Sequence, residues 1–106
     1  GAKVARRLLD SGLPDAVFTA NDDIALGLCH ELLAAGVRIP DDVAVVGFDD
    51  IPLARWATPS LSSVIQDFDA LGQASLRLSD ELVEGAPAHS ICLKPQLVVR
   101  ASTTKA

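Results

Sequence analysis

The sequence predicts an α/β fold, a parallel sheet flanked by helices, and three observations carry that reading. The run Val43-Ala44-Val45-Val46-Gly47-Phe48 is apolar without polar alternation and stops on two carboxylates, Asp49 and Asp50. Such a run reads as a strand buried on both faces, at the centre of the sheet. A second short β-prone run, Ala16-Val17-Phe18-Thr19-Ala20, passes at once into Asn21-Asp22-Asp23 and then into a helical pattern. Amphipathic helical stretches alternate with these runs, as they do in parallel sheets.

Taken in order, Val4, Ala5, Leu8 and Leu9 recur at helical spacing, and Gly12 supplies a left-handed stop. The chain enters this helix without a cap or an initiating Met, so it is expected to be a piece of a longer protein. Pro14-Asp15 turns into the first strand. Asn21, Asp22 and Asp23 suit a helix start, because their side chains accept the free amide hydrogens of the first turn and acids complement the dipole there. From Ile24 to Ala35 the apolar residues form two stripes, Ile24, Leu28 and Leu32 on one and Leu26, Cys29 and Leu33 on the other. One stripe is enough to pack on a sheet, so the second suggests a further buried surface.

Gly36 ends this helix, Pro40-Asp41 turns the chain, and the central strand follows. Ile51 to Ala57 predicts a short helix carrying the only Trp, Trp56, halted by Thr58-Pro59. Ser62 to Gln66 has strand character. Asp67 or Asp69 can cap the longest helix, whose Leu71, Ala74, Leu78 and Leu82 keep one face apolar as far as Gly85. Ser90 to Leu93 and Leu97 to Arg100 read as two further short strands, and Ser102 to Ala106 as a tail.

The composition narrows the function. With 106 residues, 49% hydrophobic and 22% charged, the chain has the length and apolar content of one globular domain. A formal net charge of -5 argues against a grip on nucleic acid through these residues, since that affinity comes largely from Lys and Arg. No apolar stretch approaches the roughly 20 residues that span a bilayer. Cys29 and Cys92 lack metal or Cys-x-x-Cys spacing and read as buried thiols suited to a reducing cytoplasm. His30 and His89 have no partner at metal spacing, and no nucleophile elbow or paired Ser or Cys base occurs. Neither enzymatic activity, a metal nor a cofactor is expected.

Three stretches make the chain recognisable. Phe18-Thr19-Ala20-Asn21-Asp22-Asp23-Ile24-Ala25-Leu26-Gly27, Gly36-Val37-Arg38-Ile39-Pro40-Asp41-Asp42-Val43 and Val46-Gly47-Phe48-Asp49-Asp50 closely resemble, in order and spacing, the lactose/galactose-repressor family of bacterial transcription regulators. The resemblance continues through Pro59-Ser60-Leu61-Ser62-Ser63-Val64, Gln66-Asp67-Phe68, Leu71-Gly72-Gln73-Ala74 and Leu97-Val98-Val99-Arg100-Ala101-Ser102-Thr103. It implies part of an effector-binding domain of the periplasmic-binding-protein type, two α/β lobes around a cleft. Residues 1–66 would form the core of the C-terminal lobe, and 67–95 would cross the hinge to pack in an absent N-terminal lobe. Residues 96–106 would return as strand and tail. Without that lobe, the segment from Asp67 to about Leu93 is expected to be re-docked, exchanged between chains or poorly ordered.

The same resemblance assigns residues. Asp49 matches the position that grips effector hydroxyls, and a carboxylate at the carboxyl end of a buried strand agrees with that on chemical grounds. Asn21 matches a second contact, although capping alone would also explain it. Gln66 would hydrogen-bond the ligand and Phe68 would offer it an apolar face, in a Gln-Asp-Phe run that looks like that of sugar-responsive members. Asp22 and Asp50 read instead as loop supports. Leu26, Leu53 and Trp56 fall on the family's dimer face. The implied protein is a cytoplasmic repressor that forms a homodimer, binds a sugar or similar small polar effector, and reaches operator DNA only through a helix-turn-helix outside this chain. Two competing readings are a periplasmic sugar-binding protein of a transporter and a phospho-acceptor receiver domain. The second rests on Asp22-Asp23, Asp49 and Lys94-Pro95, but its acid pair and acceptor lie too close together in the chain.

Overall fold

The computed structural model describes residues 1–105 and divides them into two units, one of residues 1–65 with the returning segment from Leu97, the other Gln66–Gln96. In chain order the elements are α1 (Ala2–Ser11), β1 (Ala16–Phe18), α2 (Asp22–Ala34), β2 (Ala44–Phe48), α3 (Pro52–Trp56), β3 (Ser62–Ile65), α4 (Phe68–Val83) and β4 (Gln96–Val98). The sheet order is β1-β2-β3-β4. Strand β2 runs parallel to both neighbours, with Val17 opposite Val45 on one side and Gly47 opposite Ser63 on the other. This is the α/β architecture the alternating pattern predicts.

Side chains alternate across a strand, so Val17 and Val45 share one face of the sheet. That face carries the core of the first unit: Ala5 of α1, Ala25, Leu28, Cys29 and Leu32 of α2, Ala54 of α3, and Val43, Val45 and Leu61. Of the stripe Ile24, Leu28 and Leu32 predicted for α2, Leu28 and Leu32 are fully buried here and Ile24 half-buried, while Cys29 of the second stripe joins the same core and Leu26 packs against it. Helix α2 ends where Gly36 adopts φ 83, and two hydrogen bonds close it, Val37 N to Leu32 O and Gly36 N to Leu33 O. This is the left-handed glycine stop that a side chain would strain.

The central strand departs from the expectation of two buried faces. Val45 and Gly47 are buried, whereas Val46 and Phe48 are half-buried, and Phe18 beside them is 66% exposed. The described helices of this unit pack their core on the Val45 side, which leaves the other face incompletely covered. The C-terminal tail is a second departure. Ser102 is fully buried, its hydroxyl donating to Val45 O and accepting from Ser62 N, while its carbonyl accepts from Val45 N. A serine can plug the end of a sheet because it returns one donor and one acceptor to the backbone groups it covers. Ala106 of the predicted tail lies outside the described residues.

The second unit is α4 and the stretch after it. Asp67 caps the helix through Ala70 N at 2.9 Å, and none of its side chains is fully buried. Ala70, Ala74 and Leu78 form its half-buried stripe. Ser90 to Leu93 is not a strand, contrary to the sequence reading. Within this unit the stretch has a helix beside it and no sheet edge to complete its hydrogen bonds, and a lone strand leaves its amides unpaired. Cys92 is accordingly exposed rather than buried, while Cys29 sits in the core of the first unit, where burial raises its thiol to about 11. No described helix is long and apolar enough to cross a membrane.

Candidate functional site

The carboxyl ends of β1 and β2 carry the polar residues of both strand-to-helix loops. After β1, Thr19 N donates to Val46 O, and the Thr19 hydroxyl donates to Asn21 O at 2.8 Å, which fixes the entry to α2. Asn21 is the N-cap of α2, its Oδ1 accepting from Ile24 N at 2.9 Å. The capping role is thus realised, and it leaves the amide nitrogen of Asn21 without a partner among the described residues.

Asp22 is the structural pivot. Its carboxylate is fully buried, accepting from Ser63 Oγ at 2.6 Å with one oxygen and from Ile51 N at 2.8 Å with the other. A buried carboxyl group is tolerated when its oxygens are hydrogen-bonded in this way. The bonds tie the start of α2 to β3 and to the loop after β2. They also explain Gly47, because a Cβ there would overlap Oδ1 of Asp22. The expectation that Asp22 supports the loop matches this geometry.

After β2 the backbone turns sharply: Asp49 has φ 107 and Asp50 φ 54. Consecutive non-glycine residues at positive φ cost on the order of 1–3 kcal/mol each and persist only where surroundings over-determine them. Those surroundings are visible. Asp49 N donates to Val64 O at 2.9 Å and Asp50 N to Ser63 Oγ at 3.0 Å. Asp50 Oδ1 accepts from Arg100 Nη1 at 2.6 Å, with both side chains only 12% exposed, and the same nitrogen donates to Leu61 O at 2.7 Å. Asp49 itself is half-buried, and its carboxylate has no hydrogen-bond partner among the described residues. Of the two acids that end the central strand, Asp50 is consumed by the scaffold and Asp49 is held out with all its acceptors free.

Asn21 and Asp49 therefore stand in the first unit, at the carboxyl ends of the adjacent strands β1 and β2. Gln66 and Phe68 open the second unit; Gln66 is half-buried and Phe68 is 59% exposed at the start of α4. Of the residues predicted for an interface, Leu26 is half-buried, Leu53 is 57% exposed and Trp56 76% exposed. Sequence reasoning missed Arg100 and Ser63, whose partners lie 50 and 41 residues away. No local spacing announces such pairs. Among the described residues no group of His, Cys, Asp and Glu could hold a metal ion.

Residues 1–103 match the model of the periplasmic binding protein-like domain. The chain is 44% identical over 93 residues to the HTH-type transcriptional regulator MalR of Streptomyces coelicolor, covering 86% of this chain and 27% of that protein. It is 37% identical over 93 residues to a lactose operon repressor of Rhizobium radiobacter, covering 87% of this chain and 82% of that sequence. Among solved structures it resembles the lac repressor dimer bound to operator and the anti-inducer ONPF, with 32% identity and a TM-score of 0.88 over 98% of this chain and 37% of that one. It also resembles a complex of the transcriptional regulator CelR with cellobiose, with 38% identity and a TM-score of 0.84 over 95% of this chain and 32% of that one. The chain thus spans about a quarter to a third of most of these proteins. By fold, by motif and by these relatives, the chain belongs to the lactose/galactose-repressor family, in its periplasmic-binding-protein-like effector-binding domain.

Proposed function

We propose that this chain is the sugar-sensing part of a bacterial transcription repressor, working in the cytoplasm as a homodimer. One observation carries the reading: the Asp49 carboxylate at the end of β2, without a hydrogen-bond partner among the described residues, on a strained backbone whose neighbouring acid is bound to Arg100. A carboxylate so placed accepts hydrogen bonds from two adjacent hydroxyls, each worth about 1.5–3 kcal/mol when water is excluded. Asn21 adds the donor that its capping bond leaves over. Gln66 supplies a further polar contact and Phe68 an apolar face for a sugar ring, from where the chain crosses toward a second lobe that residues 67–95 help to build. Relatives that are regulators, one of them solved with cellobiose, support a regulator and a sugar over an enzyme.

Effector closes the lobes, and the lobe movement alters the dimer through Leu26, Leu53 and Trp56, two of which present large apolar surfaces to solvent. A helix-turn-helix elsewhere in the protein then releases operator DNA. Sequencing the gene upstream of the Gly1 codon tests the regulator against its nearest rival. A helix-turn-helix followed by a second α/β lobe is the expected result, whereas a signal peptide in that place would make the protein a periplasmic component of a transporter.

A further inference from the structure

Asp49 keeps its place with no hydrogen bond to its own carboxylate among the described residues. We propose that Arg100, acting through Asp50, is the positioning residue that presets Asp49 for the effector, an inference that rests on the proposed sugar-sensing role. Asp49 and Asp50 both have positive φ, so the loop would relax if nothing constrained it. Asp50 is pinned at both ends, its amide by Ser63 Oγ and its carboxylate by Arg100.

Arg100 is in turn well anchored. Its backbone N donates to Ser62 Oγ at 2.7 Å, and Nη1 bridges Leu61 O and Asp50 Oδ1. The guanidinium is thereby tethered to the chain before β3, and through it so is the Asp50 carboxylate. On the other side of the loop Ile51 N is fixed by Asp22. What remains without a hydrogen-bond partner among the described residues is the Asp49 side chain, carried by a backbone whose amides at 49, 50 and 51 are all hydrogen-bonded. The clamp also links distant parts of the chain, because Arg100 follows β4 on the segment that returns after the second unit. The effector loop and the returning segment are held to each other, so displacing one disturbs the aim of the other.

The test uses the full-length protein, titrated calorimetrically with cellobiose, lactose, maltose and ribose, and continues with whichever sugar binds most tightly. Arg100→Gln and Asp50→Asn should each raise Kd at least tenfold, with the double variant no worse than the weaker single one. Arg100→Lys should recover part of the loss. In an Asp49→Ala background, Arg100→Gln should add nothing further, since a residue acting through Asp49 has nothing left to position. Equal additional losses in the presence and absence of Asp49 would overturn the proposal in favour of a general structural role, as would wild-type Kd in both single variants. Asp50→Asn keeps the size of its side chain and decides the matter if Arg100→Gln does not fold. A wild-type protein that binds none of the four sugars would remove the sugar-sensing role and this inference with it, whereas sugar binding indifferent to Arg100 would remove this inference alone.

Discussion

A Cβ added at Gly47 would occupy the space of an Asp22 carboxylate oxygen, which is already bonded to Ser63. The rigid strand and the buried acid cannot both keep their places. Gly47→Ala is therefore expected to destabilise by about 3 kcal/mol, since overpacking and the loss of buried hydrogen bonds add. Thermal melting should show Tm lowered by roughly 10–20 °C; an unchanged melt would mean the Asp22 seat is not tight. At this scale the sequence is partly legible. Asn21 and Asp49 announce themselves because each is a polar residue ending an apolar run, where a cap or a ligand contact is the only sensible use. Ser62, Ser63 and Ser102 do not: a serine reads as surface or tail until the backbone groups it satisfies are known. Arg100 is illegible for a related reason, as its carboxylate partner is remote in sequence.

At the scale of elements, helices and their ends follow from the chain because their determinants are local. Gly36 stops α2, and Asn21 and Asp67 start helices as caps. The failure at Ser90 to Leu93 has the opposite cause, since a strand exists only with a neighbour and the sequence names none. The turn before β2 is again local. Asp42 accepts from the Arg38 side chain at 2.6 and 3.0 Å and from the Arg38 backbone at 2.8 Å, and these bonds hold its carboxyl at about 2, below the ordinary 3.8. A depressed carboxyl favours the folded state above its unfolded value and loses that contribution as pH falls through the folded one. Asp42→Asn should therefore melt below wild type at pH 6, and the gap should close between pH 4 and pH 2. A gap that persists at pH 2 would place the effect elsewhere; its size at pH 6 is small, because exposed pairs are screened.

At the scale of the molecule, stability is unevenly distributed. The first unit holds the buried core, whereas α4 buries no side chain completely and exposes Leu71, Leu76, Leu82 and Val83. Segments with few buried contacts open locally at low cost. In the isolated 106-residue chain, amides of α4 should exchange with deuterium at least ~10-fold faster than those of α2. In the full-length protein that difference should shrink, because a second lobe would cover the apolar face of α4. Equal protection in the isolated chain would show that α4 needs no such lobe.

Whether Asp49 grips a sugar on behalf of a repressor is decided by calorimetric titration of the full-length protein with the same four sugars. At least one sugar should bind the wild type, and Asp49→Ala, which removes no acceptor of the Asp22 and Asp50 hydrogen bonds, should weaken it by about 100-fold or more, as the loss of two charge-assisted hydrogen bonds requires. Undiminished binding in Asp49→Ala would show that the sugar is held without Asp49 and that the proposed sensing site is wrong.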